Sequence, residues 1–145
     1  MLETSNSHCN ERQRIIVSSD RGGCVHRAIN DEVCRVRQYR IDGEVYKEDG
    51  ERCDWLLLND DWEEVYYIEL KGSDISKAIQ QIISTEKLFA EELKHYTSFY
   101  RIIYKTGSHG VNSSRTVRWK ERCGRDARTG KAVAVVKNRL YEENI

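Results

Sequence analysis

Between residues 52 and 93 the spacing of apolar positions changes period once. Its first half, RCDWLLLNDDWEEVYYIELK, carries two runs rich in β-formers, among them Val65, Tyr66, Tyr67, Ile68 and Leu70. Asn59-Asp60-Asp61 between them supplies a turn. After Gly72-Ser73-Asp74, a break with helix-capping residues, Ile75, Ala78, Ile79, Ile82, Phe89, Ala90 and Leu93 recur at the helical period. The stretch therefore predicts strand, turn, strand and a long helix. Residues 99–105 (FYRIIYK) predict a further strand.

Weaker patterns flank this stretch. Residues 1–12 are polar and read as a loose tail. Residues 14–18 predict a short strand and 19–23 a turn. Val25, Ala28 and Ile29 sit at i, i+3 and i+4, which predicts a short helix over 24–32. Residues 35–41 alternate as a strand and end at Asp42-Gly43, a hairpin dipeptide, so 44–47 is expected to pair back. Residues 106–114 have loop composition, 116–123 predict a short helix, and 131–137 another strand. The expected architecture is a single α/β domain over residues 1–145, with a central mixed β-sheet of four or five strands flanked by helices.

Composition narrows the class. Hydrophobic residues make up 39% and charged residues 33% of the 145, and no apolar run approaches the roughly 20 needed to span a bilayer. Residues 1–14 hold no apolar signal core. Five cysteines without a C-x-x-C pair, and four scattered histidines, point away from a disulfide framework or a zinc site. Reduced thiols and a cytoplasmic setting are the expectation. Net charge is zero but unevenly spread. From Asp42 to Asp74 there are twelve acids against three bases, and from Arg115 to Arg139 nine bases against two acids. An acidic centre beside a basic part suits a metal site next to a phosphate-binding surface, and equally two solvated faces that offset each other.

The candidate chemistry lies on the paired strands. Residues two apart on a strand share a face, so Glu69 and Lys71 point the same way, and Asp54 on the neighbouring strand can project beside them. The tripeptide recurs as Glu92-Leu93-Lys94 within the helical pattern, where the outer two point about 200° apart. Only the strand copy brings acid and base together. Hard oxygen ligands such as Asp54 and Glu69 suit Mg²⁺ or Mn²⁺. The plain alternative is a surface hairpin with an ordinary Glu69–Lys71 ion pair.

Asp54, fourteen intervening residues, then Glu69-Leu70-Lys71 and a helix with Gln81, resembles the core of the PD-(D/E)XK, or restriction-endonuclease-like, nuclease superfamily. The resemblance covers residues 24–105. It implies that Asp54, Glu69 and the backbone carbonyl of Leu70 bind Mg²⁺ or Mn²⁺, that Lys71 positions or activates the attacking water, and that Gln81 supports the site. An upstream acid sometimes completes such sites, and Glu32 or Asp31 could serve. Arg115, Arg118, Lys120 and Arg122 could contact phosphates with Trp119 stacked on a base, or form a solvated helix with Trp119 in the core. Arg35, Arg37 and Lys47 offer a second basic edge. The implied activity is a metal-dependent nuclease acting on DNA as a homodimer. The alternative is an inactive relative serving as a binding, immunity or regulatory module, which a net charge of zero favours.

Overall fold

The computed structural model describes residues 1–70, 74–106 and 108–145. Its elements run β1 (Ile15–Ser19), β2 (Val25–Ile29), β3 (Val36–Arg40), β4 (Trp55–Asn59), β5 (Glu64–Leu70), α1 (Ile75–Leu88), β6 (Thr97–Tyr104), α2 (Ser114–Cys123), β7 (Ala134–Asn138) and β8 (Leu140–Asn144). The architecture is α/β with two mixed sheets. Five strands form the larger, in the order β3-β4-β5-β6-β7, and three the smaller, in the order β1-β2-β8. In the large sheet β3, β4 and β5 pair antiparallel as a meander, and β6 and β7 join in parallel after helical crossovers. Such crossovers need a segment long enough to return the chain to the same edge, which α1 and α2 provide.

Both faces of the large sheet are covered, and this explains why every residue of β4 and β5 is buried. On one face α1 packs Ile75, Ala78, Ile79 and Ile82 against Leu56, Leu58, Val65, Tyr67 and Ile102. On the other, Ile16, Cys24 and Ala28 from the small sheet side meet Leu57, Tyr66, Ile68, Leu70 and Phe99. Helices therefore cover only one face, and a second sheet takes the other.

Several expectations change here. Residues 24–32 hold β2 rather than a helix. Its alternation buries His26 and Ala28 and leaves Arg27 exposed, a period the three helix-spaced apolar residues concealed. Residues 44–47 form no strand; only Asp42 and Tyr46 bridge, and β3 pairs with β4 instead. The first twelve residues are laid along β3. His8 N–H donates to the Gln38 carbonyl at 2.7 Å, Val36 N–H to the Glu11 carbonyl at 2.7 Å, and Leu2 is 7% exposed in the helix-side core. An edge strand leaves backbone groups open, and this segment satisfies them. Strand β8, LYEEN, was not expected from its polar sequence.

Helix α1 starts where expected. The Asp74 side chain caps it, accepting from the N–H groups of Ser76 at 3.0 Å and Lys77 at 3.4 Å. It ends at Leu88, and the apolar stripe continues through Phe89 and Leu93 in a following turn. A single residue, Arg139, separates β7 from β8. Its φ of 63° lets the chain leave one sheet and enter the other. Among the described residues, no helix is long and apolar enough to cross a membrane.

Candidate active site

Register brings two acids together. Strand β4 pairs with β5 so that Trp55 faces Ile68, and one step further along the same ladder Asp54 falls opposite Glu69. Glu69 shares its face with Val65 and Tyr67, and Asp54 shares its face with Leu56 and Leu58, so both acids lie on the α1 side of the sheet. They lie at the carboxyl end of β5. In open sheets with helical crossovers, ligands settle outside this end of the strands.

The pair is held from two directions. Leu70 N–H donates to Asp54 Oδ2 at 2.8 Å, while the Asp54 carbonyl accepts from Ile41 N–H at 2.9 Å. From the helix side, Cys53 N–H donates to Thr85 Oγ1 at 2.8 Å, and that hydroxyl donates to the Gln81 carbonyl at 2.7 Å. Thr85 thus anchors the start of β4 to α1. Thr85→Val keeps the shape but leaves the Cys53 N–H buried without an acceptor. It is expected to lower stability by about 1–3 kcal/mol in urea unfolding, with Thr85→Ser recovering most of the loss.

Glu69 is only 6% exposed. Burial, and then the charge of Asp54, push its carboxyl up to about 10, and it shares a hydrogen bond with Asp54. Burial also raises Asp54, against the opposing effects of the Leu70 N–H, Glu69 and the Arg40 guanidinium. Without a cation the pair therefore keeps a proton. Glu69 Oε1 is buried with no hydrogen-bond partner among the described residues. An orphaned carboxylate oxygen beside a second carboxylate could supply two of the oxygen ligands that a hard divalent cation takes. Among the described residues no three Asp, Glu, His or Cys side chains cluster closely enough to hold a metal ion by themselves. A site here would draw its remaining ligands from backbone carbonyl and water.

The other sequence-derived residues are placed as follows. Lys71 lies outside the described residues. Gln81 is half-buried on α1, one turn before Thr85. Glu32 and Asp31 are exposed and away from the pair: Glu32 accepts from Trp62 Nε1 at 3.2 Å, at the far end of β4. The helix meant to carry Glu32 inward is a strand and turn instead. Tyr67 is buried in the core. On α2, Arg115, Arg118, Lys120 and Arg122 are exposed, and none forms an ion pair with another described residue. Trp119 is 7% exposed and packs on Tyr100 with ring centroids 5.8 Å apart, so it belongs to the core and is not free to stack on a base. Arg35 and Arg37 pair with Asp61 and Asp60, each at 2.7 Å, which neutralises these two members of the second basic edge, while Lys47 is exposed.

One acid near the pair escaped the sequence reading. Asp20, in the β1–β2 turn, raises the Asp54 carboxyl through its charge. Its local signal was an Asp two residues before Gly22, a side-chain-capped turn. Nothing in the sequence linked that turn to Asp54, because the link runs between the two sheets.

Comparison with protein-family models, with curated proteins and with solved structures finds no match to this chain.

Proposed function

We propose that the protein is a Mg²⁺- or Mn²⁺-dependent nuclease that hydrolyses phosphodiester bonds in DNA. One observation carries the reading: Asp54 and Glu69 meet in register, burial and the Asp54 charge raise the Glu69 carboxyl, and Glu69 Oε1 is buried with no hydrogen-bond partner among the described residues. A module without chemistry gains nothing from burying like charges side by side. The path of the chain through β3, β4, β5, α1 and β6 supports the resemblance to the PD-(D/E)XK core, with a small sheet where a helical layer was expected.

In this reading Asp54 and Glu69 would hold the cation with help from the Leu70 carbonyl. The bound ion supplies positive charge that polarises the phosphodiester and favours the developing charge on phosphorus oxygens. Lys71, two residues beyond Glu69 in the sequence, would hold the attacking water and, in its neutral form, take its proton. The water oxygen bonds to phosphorus as the in-line P–O bond breaks, and the leaving oxygen departs to be protonated by solvent. Thr85 and Leu70 keep Asp54 in place. The free cations of α2, Arg115, Arg118, Lys120 and Arg122, contact backbone phosphates, and Trp119 supports the helix from below.

The test is supercoiled plasmid incubated with Mg²⁺ or Mn²⁺, with and without chelator, using wild type, Glu69→Ala and Lys71→Ala. Nicking that needs the metal and disappears in both variants is expected. Intact plasmid, together with intact branched, single-stranded and RNA substrates, would overturn the enzymatic reading and leave an interaction module of the same fold.

A further inference from the structure

The turn between β1 and β2 carries a third acid to the end of the sheet where Asp54 and Glu69 lie. Asp20 directly follows β1. Its Oδ1 accepts from the N–H groups of Gly22 at 3.0 Å and Cys24 at 3.2 Å, which fixes the carboxylate plane. Its Oδ2 is buried and has no hydrogen-bond partner among the described residues, the same condition as Glu69 Oε1.

Two contacts seat this turn. Trp55 Nε1 donates to the Ser19 carbonyl at 3.3 Å, so the chain neighbours of Asp54 and Asp20 are joined directly across the two sheets. Gly22 lies against Lys105, the residue after β6. A Cβ at position 22 would stand 2.5 Å from Lys105 Cε, 2.7 Å from its Nζ and 3.3 Å from Asp20 Oδ2. Strand β6 runs beside β5 with Ile103 opposite Leu70, so Lys105 marks the same end of the sheet as Glu69. A side chain at Gly22 would have to push the flexible end of Lys105 aside.

Asp20 does not complete a direct ligand set, since no three such groups among the described residues can hold one ion together. It suits a different task. Mg²⁺ gives up its hydration water reluctantly and keeps several waters when bound. Those waters need acceptors, and an anionic oxygen withdrawn from bulk water needs a donor. We infer that Asp20 is an outer-shell carboxylate of the Asp54–Glu69 cation site, its Oδ2 accepting a hydrogen bond from hydration water of the divalent ion. The inference rests on the reading of Asp54 and Glu69 as a cation site. It makes Asp20 a positioning residue, acting through water.

The experiment is a titration of the metal-free protein with Mn²⁺, followed by calorimetry and by the electron paramagnetic resonance signal of free Mn²⁺. Wild type, Asp20→Asn, Asp20→Ser and Asp54→Ala are compared, with melting temperatures taken in chelator. Asparagine keeps an oxygen for the Gly22 and Cys24 N–H groups, and serine keeps a shorter acceptor, so either variant preserves the turn. The expected result is a Mn²⁺ affinity lower by about 10–100-fold in both Asp20 variants, with an undiminished metal-free melting temperature, and no binding in Asp54→Ala. Wild-type affinity in either folded Asp20 variant overturns the role of Asp20 alone. Failure of the wild type to bind Mn²⁺ overturns the cation site and this inference with it.

Discussion

Glutamine at position 69 is expected to stabilise the metal-free protein while removing its metal-dependent cleavage. Glu69 is buried opposite Asp54, and its carboxyl is pushed up to about 10. In the unfolded chain the same group titrates at about 4.3. Between roughly pH 4 and pH 10 the native state therefore holds a proton that the unfolded state releases. Stability is full below this window and falls as pH rises through it. Glutamine has no proton to lose, so the variant should lack this slope and exceed wild type at pH 8 by at least about 1.4 kcal/mol, the value of one pKa unit. Asp54, raised in the same direction, contributes a slope of the same sign. Cleavage should fall on the order of a thousandfold, because several kcal/mol of charge stabilisation depend on the ion. Added Mn²⁺ should stabilise wild type more at pH 8 than at pH 6, since binding expels the shared proton. Urea unfolding in chelator at several pH values, beside plasmid cleavage, checks all of this. A variant less stable than wild type throughout, or one that still cuts, would contradict it.

Arg101→Met should be the most damaging single change to the fold. Arg101 is fully buried between the two sheets. Its Nε and Nη2 donate to the two oxygens of Glu143 at 2.7 and 2.9 Å, and Nη1 donates to the carbonyls of Tyr100 and Val133, both at 2.9 Å. His26 Nε2 adds a bond to Glu143 at 2.7 Å. Burial works against the Glu143 charge, but these partners win and hold its carboxyl at about 2. Methionine fills part of the space and leaves that charge with only His26 at 2.7 Å and Lys131 at 3.9 Å. The expected loss is about 3–5 kcal/mol, measured by chemical unfolding. Arg101→Met with Glu143→Leu should recover much of it, because no uncompensated charge remains. A loss below about 1 kcal/mol for the single variant would mean that water already reaches the cluster.

The parts of the fold legible in the sequence are those whose partners lie close along the chain. The β4–β5 hairpin, α1 and β6 follow from apolar period and turn residues, and Asp54 and Glu69 came with them. Helix α2 and β7 were also found. Of the small sheet only β1 was. Its strand β8 reads as a polar segment because Glu143, buried against Arg101 and His26, looks in sequence like any surface acid. Strand β2 has the apolar spacing of a helix in sequence, because His26, an inward residue there, breaks the apolar alternation. The same blind spot hid Asp20, whose neighbourhood depends on the Ser19–Trp55 bond. Trp119 had fitted both a core and a stacking role; only its packing on Tyr100 decides for the core.

The β2–β8 ladder has a kinetic consequence. His26 and Glu143, which meet across it, are 117 positions apart in the chain. The β1–β2 hairpin can form by itself on a microsecond scale, but closing the ladder must first overcome the entropy of a loop nearly as long as the chain. The small sheet is therefore the last layer to close during refolding. Until it does, Leu57, Tyr66, Ile68 and Phe99 present an uncovered apolar surface to other chains. Recovery from denaturant should accordingly fall as protein concentration rises.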